Sequence, residues 1–274
     1  MLKLVVCIKQ VPLVSELPWD KRTGTLKREM AEGMMNPVCR RALEAAVRIK
    51  ETAGAHITAL SMGPPMAAEV LHEALALGAD AAVLLTDRAM AGADTLSTSA
   101  TLAAAVRAQC PDFDLLLCGA HTTDSETAQV GPQLAAELDV PGVAYVESLE
   151  LRAKNTVRLE RAADGFIETL DMALPGVVTI SPDAYAPRFV PLGGLNDSFD
   201  QGHVTVLDAA ALGLDPARMG IPGSPTKILN VYSPTAAKKN VVLTGAPQRV
   251  VEQLFEKFGD QIGGAIKKDV KEHQ

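Results

Sequence analysis

The sequence has 274 residues, of which 47% are hydrophobic, 22% charged and only 4% aromatic. A chain of this length and composition can bury a substantial core without disulfide or metal staples. The formal net charge of −7 argues against nucleic acid and anionic membranes as main partners. No apolar run reaches the ~18 residues of a spanning helix, and the first residues do not form a secretory signal, so we expect a soluble, cytoplasmic protein.

The four cysteines show no pattern typical of a metal site or a disulfide framework. They are Cys7, Cys39, Cys110 and Cys118, and none belongs to a CxxC pair. Cys7 and Cys118 lie within apolar, strand-like runs. Since free cysteine is among the most buried residue types, we predict buried, reduced thiols.

Short apolar runs alternate with helical periodicity through the first half of the chain. The predicted strands are Leu2–Ile8, His56–Ser61, Ala82–Leu85 and Leu115–Cys118. The predicted helices are Pro37–Glu51, Pro65–Leu77, Thr95–Gln109 and Thr127–Leu138. Unbroken apolar strands are typical of a parallel sheet covered on both faces. We therefore predict an α/β fold with a doubly wound, mostly parallel sheet and helices on both faces.

The pattern changes after residue 142. Alternating apolar and polar residues around Asp164-Gly165 predict an antiparallel hairpin within residues 149–172, and Val177–Ile180 predicts a further buried strand. Proline and glycine become frequent from residue 182, and a final helix is predicted at Pro247–Phe258. This organisation predicts an α/β domain over residues 1–181 and a C-terminal arm with a helix over residues 182–274.

Candidate site residues follow the predicted strands, because ligands of open parallel sheets bind beyond the carboxyl ends of the strands. The longest such loop runs from Gly119 to Pro132 and is rich in hydroxyls and amides. Its backbone N–H groups at a helix start suit a phosphate or pyrophosphate. Alternatively, its side chains only cap the helix and form a turn. The residues alone leave both alternatives open, and neither a Walker loop nor GxGxxG is present.

Arg88 follows the third predicted strand. It can pair with a phosphate, or form a surface salt bridge with Asp87 or Asp94, which the residues alone favour. The sequence contains no GxSxG elbow, no HExxH motif and no nucleophilic Cys–His pairing. These observations predict a nucleotide-binding α/β protein without hydrolytic machinery.

Motifs along nearly the whole chain, from Val5 to about Phe258, resemble the β subunits of electron transfer flavoproteins. The matching segments are Val5–Val11, Asn36-Pro37, Ala42–Val47, Ala59–Pro65, Ala74–Asp80, Asp124 with Thr127–Pro132, Glu168–Leu170, Leu174-Pro175, Pro187-Arg188 and Gly223–Thr226. The resemblance implies an adenine-nucleotide site on this chain. It also implies that the arm wraps an α subunit, which carries a redox-active FAD.

With the strand-end loops, the resemblance gives a predicted cofactor-binding set. Its members are Cys7, Lys9, Asn36, Pro37, Val38, Cys39, Met62, Gly63, Thr86, Arg88, Asp94, Thr95, Gly119, His121, Thr122, Asp124, Thr127, Ala128, Gln129, Val130 and Gly131. No catalytic side chain and no metal ligand are predicted.

Two versions of the family differ in the nucleotide of the β subunit. The segment Leu84–Thr95 resembles the version that holds a second FAD, which makes Arg88, Asp94 and Thr95 FAD-site residues in place of the salt bridge. Such a flavin can exchange hydride with NAD(H) and support flavin-based bifurcation. The alternative occupant is AMP, with all redox work on the α-subunit FAD. Either way we expect an electron-carrying subunit rather than a conventional enzyme.

The sequence departs from the family at two places. FAD-holding relatives usually have Arg-Gln-Ala-Ile where this chain has Ala120–Thr123, so a fixed charge is lost and a titratable His121 is present. The segment Asp183–Gly202 resembles the partner-docking loop but carries Asp197 and Asp200 in place of a lysine cluster.

The predicted docking residues in this loop are Ala184, Tyr185, Pro187 and Arg188. The acidic substitutions predict a partner other than medium-chain acyl-CoA dehydrogenase. Another dehydrogenase or an iron–sulfur protein is expected. A stand-alone nucleotide sensor of the stress-protein type is disfavoured, since it has no evident use for the long arm.

Overall fold

The computed structural model describes residues 1–13, 19–20, 25–26, 32–152, 155–227 and 241–272, with the backbone alone for residues 19–20, 25–26 and 265–272. The chain divides into two compact units, Met1–Leu229 and Asn230–Gln274. The predicted division after residue 181 stays a prediction.

A nine-stranded sheet forms the centre of the first unit, in the order β11-β10-β9-β12-β8-β1-β6-β7-β13. Its strands are β1 (Leu2–Cys7), β6 (Ala55–Met62), β7 (Ala81–Leu85), β8 (Leu115–Gly119), β9 (Gly142–Arg152), β10 (Thr156–Ala163), β11 (Phe166–Ala173), β12 (Gly176–Ile180) and β13 (Val204–Leu207). Neighbours from β9 through β12 to β13 are parallel. The β9-β10-β11 end is antiparallel. The predicted mostly parallel sheet with a hairpin extension is confirmed.

Two small antiparallel sheets accompany the large one. One pairs β2 (Gln10–Pro12) with β5 (Gly33–Met35), and the other pairs β3 (Trp19–Asp20) with β4 (Thr25–Leu26). The β2–β5 pair joins the exit of β1 to the start of the first helix.

Four helices cover the two faces of the sheet, as predicted. They are α1 (Pro37–Ala53), α2 (Ala68–Leu77), α3 (Thr95–Gln109) and α4 (Val130–Leu138). Alternate residues of β1 point to opposite faces: Leu4 and Val6 pack in the core beneath α1 and α2, while Val5 and Cys7 pack beneath α3 and α4. Asp94 caps α3 by accepting the Ser97 N–H at 3.0 Å, which fixes the predicted start of this helix.

Several elements differ from the prediction, among them the second helix, where Pro65–Ala67 form a 3-10 turn and α2 begins at Ala68. The helix α4 begins at Val130 rather than Thr127, because Glu126 and Ala128 have positive φ angles of 50° and 54° that a helix cannot contain. The expected irregular arm contains α5 (Leu192–Asp200) and β13, which extends the sheet beside β7. The last helix, α6 (Pro247–Glu272), continues past Phe258 into the predicted tail.

Among the described residues, no helix combines the length and the apolar character that crossing a membrane requires. The same residues contain no group of three or more histidine, cysteine or acidic side chains arranged to hold a metal ion.

Candidate functional site

The candidate site lies where the parallel strands β1, β6, β7 and β8 end. Their carboxyl ends meet at one edge of the sheet, since consecutive neighbours in the order β8-β1-β6-β7 run in the same direction. The segments that follow these strands therefore share this edge, hereafter the carboxyl edge; they are Lys9–Pro12, Met62–Pro65, Thr86–Arg88 and Gly119–His121.

Asn36 connects three segments of the carboxyl edge. Its side chain is fully buried. Nδ2 donates to the His121 carbonyl at 3.0 Å and to Cys39 Sγ at 3.2 Å, and Oδ1 accepts the Thr123 N–H at 3.1 Å. The backbone N–H of Asn36 donates to the Lys9 carbonyl at 2.9 Å. One amide thus holds together the exit of β1, the start of α1 and the loop after β8.

The first half of the Gly119–Pro132 loop is a self-contained turn. Ser125 and Glu126 donate their N–H groups to the Thr122 carbonyl, and the Thr122 hydroxyl donates to Asp124 Oδ1 at 2.7 Å. Lys9 Nζ binds both oxygens of Asp124 at 2.9 and 2.8 Å. Of the two alternatives for this loop, turn formation therefore applies to residues 122–126. The Lys9 and Asp124 side chains form an ion pair with each other.

The second half of the loop has the geometry of an anion cradle. Ala128 has a φ of 54° and is followed by Gln129 in the right-handed region at φ −100° and ψ −30°. Such an alternation turns successive N–H groups toward one point. Within the described part of the chain, the N–H groups of residues 127–131 have no intramolecular acceptor. They precede the positive end of the α4 dipole, so this half suits a phosphate.

Two glycines allow close packing around this cradle. A Cβ on Gly119 would lie 2.8 Å from the backbone of Val38 and Cys39, so the first turn of α1 rests directly on the end of β8. A Cβ on Gly131 would lie 2.2 Å from Thr179 Cγ2. Gly131 is thus required by the packing of α4 on β12, whether or not a ligand approaches it.

Replacing Gly131 with alanine is expected to cost about 2 kcal/mol of folding free energy, the usual size of an overpacking penalty. Thr179 cannot simply rotate away, because its Oγ1 accepts the Tyr145 N–H at 3.0 Å. Thr179→Ser removes the methyl group and keeps that hydroxyl, so the double variant should recover most of the loss. Urea unfolding measures both variants, and equal destabilisation would contradict the packing explanation. Nucleotide content of the double variant then tests whether the new Cβ also crowds a phosphate.

The loop after β7 is fixed by hydrogen bonds between Asp94 and the segment Gly220–Thr226. The Asp94 carboxylate accepts the N–H groups of Ser97 at 3.0 Å and Thr226 at 2.9 Å, and the Asp94 N–H donates to Ser224 Oγ at 2.8 Å. Asp87 accepts N–H groups of its own segment and of Ala209. Asp94 therefore acts here as a structural link between α3 and a distant part of the chain.

Arg88 is exposed, and both candidate salt-bridge partners are occupied by backbone donors. Among the residues the structure describes, no ion pair or side-chain hydrogen bond involves its guanidinium. The surface salt bridge with Asp87 or Asp94 that the residues alone favoured is therefore wrong. A charged group without an internal partner remains beside the carboxyl edge.

The other predicted residues of this edge take structural positions. Thr95 Oγ1 donates to Gln129 Oε1 at 3.0 Å, which joins the start of α3 to the cradle. The Gly63 N–H donates to the Leu85 carbonyl at 3.0 Å, and the Thr86 N–H to the Leu207 carbonyl at 3.0 Å. Met62 is half-buried at the end of β6.

Burial raises the pKa of the Cys39 thiol above its usual value, although the hydrogen bond that Asn36 donates to its sulfur lowers that pKa.

Comparison with known proteins identifies the family. A family model described as "Electron transfer flavoprotein domain" matches residues 23–212. That span covers more than half of the chain. The chain belongs to the electron transfer flavoprotein family.

Curated relatives extend this match over almost the whole chain. The electron transfer flavoprotein subunit β of Thermoanaerobacterium thermosaccharolyticum is 37% identical over 260 residues, which cover 95% of this chain and 99% of the relative. The caffeyl-CoA reductase-Etf complex subunit CarD of Acetobacterium woodii is 40% identical over 245 residues, covering 89% and 92%. Protein FixA of Azotobacter vinelandii is 38% identical over 268 residues, covering 94% of each. Electron transfer is the function that these family names support.

In this flavoprotein β subunit, the predicted docking segment is tied to α1 by arginines. Arg40, Arg41 and Arg48 donate to the main-chain carbonyls of Arg188, Ala184 and Ala186, at 3.1, 2.7 and 3.3 Å. All three hydrogen bonds end on main-chain oxygens of the segment and use none of its side chains. The base of the segment is therefore held through its backbone.

Arg188 adds a side-chain attachment of its own. Its Nε donates to Glu44 at 2.9 Å and its Nη1 to Glu51 at 2.6 Å. These hydrogen bonds raise the pKa of the guanidinium above its usual value. Among the other predicted docking residues, Ala184 is buried, Tyr185 is half-buried beneath the Arg48 guanidinium, and Pro187 is exposed. The large apolar side chains farther along, Phe189 and Leu192, are 96% and 86% exposed.

Sequence reasoning missed three residues that shape the carboxyl edge. Ser224 and Thr226 bind Asp94, and Thr179 supports Gly131. The resemblance in Gly223–Thr226 was a signal for the first two. No local pattern signals Thr179, because its role depends on the pairing of β12 with β8.

Proposed function

We propose that this chain is the β subunit of a heterodimeric electron transfer flavoprotein and holds an adenine nucleotide at the carboxyl edge. The observation that carries the proposal is the row of N–H groups at residues 127–131, which have no acceptor among the residues that the structure describes. They start a helix beside a loop that Asn36 holds in place. Such a donor set fits a phosphate or diphosphate group.

In this proposal the residues of the edge bind and orient the nucleotide. The N–H groups of residues 127–131 bind phosphate oxygens. The buried surface of Cys7 and of the Asn36–Cys39 segment forms a wall for the adenine. A bound flavin supplies the redox chemistry, taking up and passing on electrons, and the protein supplies position and electrostatic environment.

FAD is the occupant that we propose, with AMP as the alternative. FAD carries a diphosphate, and Arg88 offers an exposed guanidinium at the carboxyl edge that forms no ion pair with any residue the structure describes. Arginine binds phosphate oxygens with two parallel hydrogen bonds, so this residue suits the longer ligand. With AMP bound instead, the chain is a scaffold and the α-subunit FAD does all redox work. Hydride exchange of a β-subunit FAD with NAD(H), and bifurcation, belong to the first alternative.

The proposed partners are an α subunit and a dehydrogenase or iron–sulfur protein. One relative is named as a subunit of a caffeyl-CoA reductase-Etf complex, which supports a redox enzyme as the docking partner. The tethered segment that begins at Ala184 presents Phe189 and Leu192 at its exposed end. We propose that the segment contacts this partner.

Nucleotide content decides between the two occupants. We would co-express the chain with its α subunit, release the nucleotides with acid, and quantify FAD and AMP by chromatography. The expected result is two FAD and no AMP per heterodimer. One FAD with one AMP would make the chain a scaffold, and a β subunit without any nucleotide would contradict the proposed site.

The variant Arg88→Ala refines this measurement. It is expected to retain the α-subunit FAD and to lose most of the second FAD, because a charged hydrogen bond to a phosphate contributes about 1.5–3 kcal/mol. The matched control is Arg152→Ala, since Arg152 pairs with Glu150 on the hairpin. Full flavin retention in Arg88→Ala would place Arg88 outside the site.

A further inference from the structure

Two cysteines face each other on neighbouring central strands. Cys7 of β1 and Cys118 of β8 are register partners in a parallel pair. Both side chains point to the same face of the sheet, into the core beneath α3 and α4. Both are free thiols. In the proposed nucleotide site, Cys7 contributes only a buried surface and Cys118 has no role.

Register partners on adjacent strands have the separation that a disulfide needs. Neighbouring strands lie about 4.8 Å apart, and disulfides join Cα atoms about 4.4–6.8 Å apart. The two thiols also interact directly: contact with Cys7, together with burial, raises the pKa of Cys118 well above its usual value. The Cys7 and Cys118 side chains can therefore form a disulfide without a change in the register of β1 and β8.

The pair lies at the carboxyl edge and is slightly more exposed than the preceding residues that point to the same face. Cys7 is 8% exposed and Cys118 is 5% exposed, whereas Val5 and Leu116, one alternate position earlier on the same strands, are 1% and 0% exposed. Cys39 lies on the opposite face of the sheet, with its Sγ hydrogen-bonded to Asn36. Cys110 follows α3, before β8 begins, at the opposite edge of the sheet.

We propose that Cys7 and Cys118 form an oxidisable dithiol, which a peroxide converts reversibly into a disulfide between β1 and β8. The more exposed Cys7 thiol loses its proton and its sulfur attacks the peroxide, so that the O–O bond breaks; the leaving hydroxide takes up that proton, and a sulfenic acid and one water form. The Cys118 sulfur then displaces the second water, and the S–S bond forms. Each sulfur loses one electron and one proton, and the peroxide is reduced to two waters. This modification site does not depend on which nucleotide the edge holds.

Hydrogen peroxide titration of the co-expressed heterodimer tests the proposal. The product is alkylated, digested without reductant and analysed by mass spectrometry. We expect a peptide pair linked through Cys7 and Cys118, the loss of two of the four thiols of this chain, and recovery of both with dithiothreitol. Because Cys110 is the least buried of the four cysteines, its modification marks general oxidation.

Two variants make the result specific. Cys110→Ser is the matched control, because Cys110 lies at the opposite edge of the sheet, and this variant should leave the linked peptides unchanged. Cys118→Ser should abolish them and leave Cys7 as a sulfenic acid that a dimedone probe captures. The proposal is overturned if Cys110 becomes fully oxidised while Cys7 and Cys118 remain thiols, or if Cys118 links mainly to Cys39.

Discussion

Replacing Gly119 with alanine is expected to destabilise the protein by about 3 kcal/mol, at the upper end of overpacking penalties. The new Cβ would lie 2.8 Å from the Cys39 nitrogen and the Val38 carbonyl carbon, and 3.0 Å from the Val38 oxygen. These are backbone atoms in the first turn of α1, so no rotamer change can relieve the contact. The N-terminal end of α1 must move away from β8, and nucleotide content should fall as the wall formed by residues 36–39 shifts.

Urea unfolding and acid-released nucleotide measure the two consequences. Gly193→Ala is the matched control, because nothing lies within 4 Å of a Cβ at that helical position. Alanine there should be neutral, or stabilise α5 by up to about 1 kcal/mol. Wild-type stability of Gly119→Ala would show that α1 does not rest on the end of β8 as described.

Replacing Asn36 with leucine is expected to cost about 2–4 kcal/mol and to loosen the whole carboxyl edge. Leucine keeps the volume of the side chain but removes every hydrogen bond of the amide. The Thr123 N–H and the His121 carbonyl would then lack their partner. An unsatisfied buried group costs about 1–3 kcal/mol, and the loss affects two loops at once.

Hydrogen exchange gives the local readout for Asn36→Leu. Amides of residues 119–126 should exchange faster than in wild type, whereas those of the hairpin β10–β11 should not change. The control is Asn196→Leu, which removes an exposed hydrogen bond to Asp200 and should alter stability by no more than about 0.5 kcal/mol. If the two variants behave alike, Asn36 does not organise the edge.

The parallel strands and α3 could be predicted from sequence because local signals agree with the tertiary fold there. Asp94 marks the start of α3 by its cap, and the predicted range Thr95–Gln109 is confirmed. Apolar runs without alternation indicated strands covered on both faces, and the two core layers confirm this. The hairpin around Asp164-Gly165 is confirmed for the same reason, because turn chemistry and strand periodicity coincide.

Non-local contacts explain what the sequence did not reveal. The four residues of β13 form a strand only because the edge of β7 is available to pair with them. The loop after β8 contains both alternatives side by side, a turn at residues 122–126 and a cradle at residues 127–131. Which residues belong to each depends on positive φ angles at Glu126 and Ala128, and neither residue type favours them. Arg88 lost its expected partners because backbone N–H groups bind Asp87 and Asp94.

The contacts between α1 and residues 184–188 also bear on how the proposed docking surface can change. Arg40, Arg41 and Arg48 donate hydrogen bonds to main-chain oxygens. Every amino acid provides such an oxygen. Substitutions at the exposed Phe189 or Leu192 can therefore alter the surface offered to another protein without releasing the segment. The attachment of the segment and its exposed side chains can therefore be changed separately.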